Sequence, residues 1–233
     1  MYFSNIGEYR DMYSGHQQYK YKYSNSVKLN GKGTLKTKPD MAILTLGVIT
    51  EGKELKTVQE ENALKTNSLI NRLKAMGINE RDIQTQSYNV DIEYDYVDGK
   101  QVFRGYRVTN TIVVTIRDIN KTGEIIDAAV ESGANTIRGI NFTVANPSLY
   151  YNQALKLAIK DAIEKAQVVE NTLGVVINET PISIEEEGSQ YVPIIERESL
   201  KAASTVTPIE AGTIEITARI KAIFYYTSMR NNF

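Results

Sequence analysis

Between Ile83 and Ile116 the chain alternates so regularly that a long β-hairpin is the simplest structure it permits. Tyr88, Val90, Ile92, Tyr94 and Tyr96 alternate with Ser87, Asn89, Asp91, Glu93 and Asp95. That is the period-two pattern of a strand with one apolar and one polar face. Asp98-Gly99 is a turn signal, and the return strand carries Val102, Tyr106, Val108, Ile112, Val114 and Ile116 on its even positions. A two-residue turn at Asp98-Gly99 would pair positions whose numbers sum to 197, setting even residues opposite odd ones. Cross-strand partners share a face, so that register would set Ile92 beside Gly105 and Asp91 beside Tyr106. The pattern therefore predicts a longer turn or a β-bulge within residues 97–105.

The segment before this hairpin, Val27 to Glu51, reads as two strands joined at Lys38-Pro39-Asp40. Val27, Leu29, Gly31, Gly33, Leu35 and Thr37 alternate with polar residues, and the glycines mark a bulge or a close backbone approach. Met41 to Thr50 is apolar at nearly every position, as in a strand covered on both sides. A helix is expected from Glu54 to Met76, with Asn62 and Thr66 interrupting its apolar stripe and Gly77 ending it. Those two polar residues fit a buried, hydrogen-bonded pair or a contact with another subunit, and the former is favoured because buried polar groups are normally paired.

After the hairpin, Asp118 or Asn120 can cap a short helix running to Val130. Ile140, Phe142 and Val144 read as a strand. Asn146-Pro147 then opens a long helix that runs to about Leu173 and is stopped by Gly174. Ala154, Ala158, Ala162 and Ala166 recur at every fourth position of that helix, a small-residue ridge suited to packing on its own sheet. Ile182 and Ile184 suggest a further strand, Glu185-Glu186-Glu187 a solvated loop, and residues 188–212 a long excursion. Ile214 to Tyr226 alternates once more.

Three helices end alike, at Gly77-Ile78-Asn79, at Gly133-Ala134-Asn135, and at Gly174 with Asn178 close behind. The expectation is an α+β protein: a mainly antiparallel sheet with helices packed on one face, built from repeated strand–helix–strand units. The even-numbered apolar residues of three strands should face that helical layer, leaving a polar sheet surface free for association.

The 233 residues carry 27 basic and 28 acidic side chains, a balance with no electrostatic footprint for nucleic acid. Cysteine is absent, which removes disulfides and thiolate chemistry, and the one histidine is His16. No apolar run approaches the roughly 20 residues of a membrane helix. Residues 1–26 hold six of the 15 tyrosines and lack the apolar core of a secretory signal. They read as a poorly ordered tail, with an interaction arm whose tyrosines dock on a partner or neighbouring subunit as the alternative. An α+β domain follows at 27–228, and the chain is expected to be cytoplasmic.

No catalytic, cofactor or metal-binding constellation emerges. A Ca²⁺ loop starting at Asp91 needs glycine sixth and glutamate twelfth, where Tyr96 and Val102 stand. Gly31-Lys32-Gly33 lacks phosphate-loop spacing, and no serine sits in G-x-S-x-G. Without cysteine, and with no histidine outside the tail, the commonest nucleophile–base pairs are missing.

Several blocks together resemble the SIMPL-domain family: GKGTLKTKPDMA (31–42), LKAMGI (73–78), DIQT (82–85), GYRVTNTIVVTIRD (105–118), DAAVESGAN (127–135) and GINF (139–142). The resemblance runs from about Ser26 to Tyr226. It implies an α+β fold, and it implies kinship with bacterial periplasmic immunogenic proteins and with proteins linked to oxidative-stress defence, some of which form ring-like homo-oligomers. Gly31, Gly33, Gly77, Gly105, Gly133, Pro39 and Asn110 match the family pattern, each in a turn, cap or close-contact role. The resemblance supplies no catalytic residues and no cofactor. Familiar members carry a signal peptide, whereas this chain begins with its tyrosine-rich tail. The leading expectation is a non-enzymatic protein that assembles with itself through exposed strand edges and the 188–212 excursion. A small-ligand module with a cleft between helices and sheet is the alternative, and an enzyme of unrecognised type the third.

Overall fold

A computed structural model describes the backbone of residues 25–194 and 207–228, and the side chains of 25–187 and 207–228. Most of the tyrosine-rich tail, with His16, and the middle of the 188–212 excursion lie outside the described residues.

The strands divide between two four-stranded antiparallel sheets. The hairpin sheet has the order β3-β4-β2-β5, built from β2 (Met41–Gly52), β3 (Ile83–Val97), β4 (Lys100–Ile116) and β5 (Thr136–Thr143). Helices α1 (Leu55–Ala75) and α2 (Thr122–Glu131) belong to this half, and α1 packs on β2 and β4. In the other sheet β1 (Ser26–Thr37) lies on one side of β8 (Thr213–Ser228). On its other side lie β6 (Val175–Ile177) and β7 (Ser183–Ile194). Helix α3 (Pro147–Leu173) packs on β1, β8 and β6. The α+β class holds, with each sheet carrying its own helices and its own core. Periodicity reports which face of a strand is apolar and is silent about which strands pair.

The first core joins Leu44, Leu46 and Val48 of β2 and Ile112, Val114 and Ile116 of β4 to Leu69 and Leu73 of α1. Asn62 of α1 is fully buried among them. Its amide donates to the carbonyls of Val48 (3.0 Å) and Val108 (3.2 Å), and the Thr66 hydroxyl donates to Asn62 Oδ1 at 3.4 Å. The polar break in the helix stripe is thus a satisfied network.

The second core sets Ala154, Ala158, Ala162 and Ala166 against Ile216, Ala218, Ile220 and Phe224. Gly31 and Gly33 let the helix settle on β1. A Cβ at Gly33 would stand 1.9 Å from the Ala154 carbonyl oxygen, and one at Gly31 would stand 2.1 Å from that of Ala158. Helix punctuation follows the sequence: the Asn146 side chain accepts from the Leu149 N–H, and Gly174 closes α3 in the left-handed region at φ 62°.

The chain leaves the β1 sheet at Lys38–Asp40 and returns at residues 144–147, so residues 41–143 form one continuous block. Asp40 ties the two crossings together. Its N–H donates to the Thr143 carbonyl at 3.1 Å, and its carboxylate accepts from the Ala145 N–H at 2.7 Å.

Glu185-Glu186-Glu187 is not a loop. All three lie in β7, which continues to Ile194 and so absorbs the first residues of the expected excursion. Two of them have side-chain partners: Glu187 pairs with Lys221, and Glu186 accepts from the Tyr151 hydroxyl. Beyond the gap, Thr207 binds Asp127 of α2, and Ile209 packs on the first core before β8 begins.

Candidate association surface

The hairpin keeps the tight turn that its sequence signals and repairs the parity with a bulge. Val97 pairs with Lys100 across Asp98-Gly99, whose φ values of 49° and 74° suit a turn of this kind. The two-residue register persists through Tyr94 opposite Phe103, and then Glu93 pairs with Gly105. Arg104 is the extra residue, within the expected interval. From there inward Ile92 faces Tyr106 and Val90 faces Val108, even with even. One assignment changes as a result. Val102 pairs with Asp95 on the polar side, and Phe103 joins the aromatic face in its place.

The larger correction concerns what covers that face. The even-numbered side chains of β3 were expected against helices, but Ile92 is 51% exposed, Tyr94 43% and Tyr96 75%. Tyr88, Val90 and Phe103 are exposed as well. Strand β2 ends at Gly52, opposite Tyr106, and α1 begins only at Leu55. Gly105 is still buried against the Gly52 carbonyl; beyond it, among the described residues, the strand segments 94–97 and 100–104 pair only with each other. They project as an arm roughly 15 Å long at about 3.4 Å per residue.

On this arm the rings of Tyr94 and Phe103 meet nearly edge to face, with centroids 6.5 Å apart and planes at 80°. Phe103 and Tyr106 repeat the arrangement at 5.3 Å and 67°. Edge-to-face pairs hold one another in place, so the surface is ordered before anything meets it. Near its inner end, the Gln59 amide of α1 donates to the Tyr88 hydroxyl at 3.4 Å.

The opposite face is charged. Arg107 bridges Glu51 (2.7 Å) and Glu93 (3.0 Å), and Arg104 approaches Glu51 at 3.6 Å. Asp91 stands directly across from Arg107. These carboxylates are thus matched with guanidinium groups, and among the described residues no group of three or more acidic or histidine side chains could hold a metal ion. At the root, Asp82 receives two hydrogen bonds from Arg117, at 2.9 and 2.7 Å, pinning the start of β3 to the end of β4. Those bonds hold the Asp82 carboxyl below the usual aspartate range, against the opposing effect of burial.

The helix–sheet interface that a ligand cleft would need is filled by Leu44, Leu46, Leu69 and Leu73, none of them exposed. A shallow depression lies beside the arm, lined by Glu51, Gly52, Lys53, Glu93, Arg104, Gly105 and Tyr106. Among the described residues no helix is long and apolar enough to cross a membrane.

Two antiparallel sheets, each with its own helical cover, and a hairpin with an exposed aromatic face define an α+β protein. The chain belongs to the SIMPL family, whose model, described as a protein of unknown function (DUF541), matches residues 27–224. It is 32% identical over 145 residues to the uncharacterized protein YggE of Escherichia coli strain K12, covering 62% of this chain and 59% of that one. The match thus spans less than two thirds of that relative's length. It is 29% identical over 209 residues to the 26 kDa periplasmic immunogenic protein of Brucella melitensis, covering 85% of this chain and 83% of that one. A YggE protein of Edwardsiella ictaluri is 29% identical, covering 85% of each chain.

Proposed function

We propose that this chain is a non-catalytic structural subunit that assembles with copies of itself, with residues 27–228 as the unit and the aromatic face of the β3–β4 arm as the joining surface. The observation that carries this reading is the uncovered row Tyr88, Val90, Ile92, Tyr94, Tyr96 and Phe103. Side chains of this size, about half exposed, leave on the order of 100 Å² each. Two such faces together hide roughly 1,200 Å², the lower end of a specific interface. One such face, roughly 600 Å², stands at the upper end of the largest apolar patch on a typical monomer, a size at which patches are often functional. Ring-like assembly, which the family resemblance implies, fits an arm that reaches beyond the body of its own subunit.

The same resemblance frames an envelope- or stress-related setting. The Brucella relatives are named as periplasmic, against our expectation of a cytoplasmic chain. A protein without cysteine is indifferent to the redox state of either compartment. Cell fractionation of the full chain decides between them.

Light scattering of the purified full chain tests assembly. The expected result is a discrete oligomer that the triple variant Ile92→Ser, Tyr94→Ser, Phe103→Ser converts to a smaller species with unchanged far-UV circular dichroism. A parent chain that stays monomeric at every concentration overturns the reading.

A further inference from the structure

The β1 sheet has an edge of a different character. Among the described residues strand β1 pairs only with β8, and the backbone groups on its other side point away from that sheet. In mid-strand two of those groups are taken by side chains of α3. The Lys32 N–H donates to Asp161 Oδ2 at 2.7 Å, and Lys165 Nζ donates to the Asn30 carbonyl at 2.9 Å. Asp161 and Lys165, one helical turn apart, also pair with each other at 2.7 Å. The arrangement follows from the glycines beneath the helix. Because Gly31 and Gly33 let α3 sit directly on the edge strand, these side chains can reach round to its outward backbone.

An open strand edge is a template for a second chain. A pairing strand needs a run of free groups, usually over five or six residues. Filling one N–H and one C=O at positions 30 and 32 leaves stretches at 26–29 and 33–37 of β1, at or below that length and interrupted at the middle of the strand. Burial disfavours the Asp161 charge, but the Lys165 ammonium and the Lys32 N–H outweigh it and hold the carboxyl below its ordinary value. The plug is therefore charged at neutral pH.

We infer that Asp161 and Lys165 are an edge guard, which blocks strand addition by a second copy of this chain at β1 and so restricts association to other surfaces. This goes beyond the arm reading and does not depend on it.

The test is made in the full chain carrying the three arm substitutions, so that the arm contributes nothing. With Asp161→Ala and Lys165→Ala added, hydrogen exchange at the Lys32 amide should accelerate about tenfold or more. Larger, thioflavin-binding species should also form. Asp161→Asn alone keeps an oxygen that accepts from Lys32 and should do neither. Adding Lys32→Pro to the open-edge variant removes the outward donor and obstructs a pairing strand, which should restore the original size. Unchanged Lys32 exchange, faster exchange without association, or association that Lys32→Pro fails to reverse each overturns the inference. The last result would mark a weakened helix rather than an opened edge.

Discussion

Asp40 and Ala145 meet at 2.7 Å, carboxylate to backbone N–H, where the chain leaves one sheet and where it comes back. The Asp40 N–H closes the same junction on the Thr143 carbonyl. One residue thus fixes the ends of the 41–143 block relative to each other. Pro39, immediately before it, limits the backbone freedom of the outgoing crossing.

Asp40→Ala should destabilise the protein by about 1 kcal/mol or more, since a hydrogen bond to an ionised group contributes roughly 1.5–3 kcal/mol and solvent screens this one in part. Asp40→Asn, which keeps an acceptor, should recover much of the loss. Urea unfolding followed by circular dichroism measures both.

Gly33→Ala tests the close packing of α3 on β1. The added Cβ would lie 1.9 Å from the Ala154 carbonyl oxygen and 2.4 Å from the Ala158 nitrogen, both backbone atoms that cannot rotate away. The helix must lift. The expected cost is about 1–3 kcal/mol, the range for overpacked cores. Gly99→Ala is a useful contrast: no atom stands near its added Cβ, and its φ of 74° should produce a purely local strain.

Alkaline stability should depend on Tyr151. Burial first, and the hydrogen bond to Glu186 second, push its hydroxyl up to about 12 from an ordinary 10.0. The folded state thus favours the neutral phenol. The stability this supplies is complete below pH 10 and is lost as pH rises from there through 12. Thermal melts should fall across that window, less steeply for Tyr151→Phe. Ultraviolet titration should show one late tyrosinate that the substitution removes.

Much of the local structure was legible because single residues dictate it. Asp98-Gly99 can hardly be anything but a turn, Asn146-Pro147 starts a helix, and Gly174 stops one. The bulge was legible too, since apolar positions on both strands were even while the turn demanded an odd sum. What remained hidden was relational. Nothing in residues 27–51 says that the two strands flanking Lys38-Pro39-Asp40 join different sheets. The alternation of Tyr88 to Tyr96 reports an amphipathic strand, but its cover depends on where β2 and α1 end. Phe103 could have been found by carrying the parity argument one step further, to ask which residue a bulge at Arg104 would turn over. Glu185-Glu186-Glu187 are exposed as their charge suggests, but the run reads as a loop because the β8 residues that hold it in place and the partners of Glu186 and Glu187 (Tyr151 and Lys221) lie 34 or more positions away. Asp161 and Lys165 look like any helical ion pair until the edge beside them is known.

The last strand carries a consequence for synthesis. Among the described residues β1, β6 and β7 hydrogen-bond to β8 and not to one another, so that sheet cannot be laid down until β8 itself has been synthesised. The 41–143 block lies wholly ahead of β8 in the chain, whereas β1, made well before its partner, waits on the order of ten seconds or longer at usual translation speeds. A message truncated shortly before residue 213 would therefore yield a chain with one sheet complete and the other wholly unmade, displaying every apolar residue intended for it to the cell's quality-control machinery.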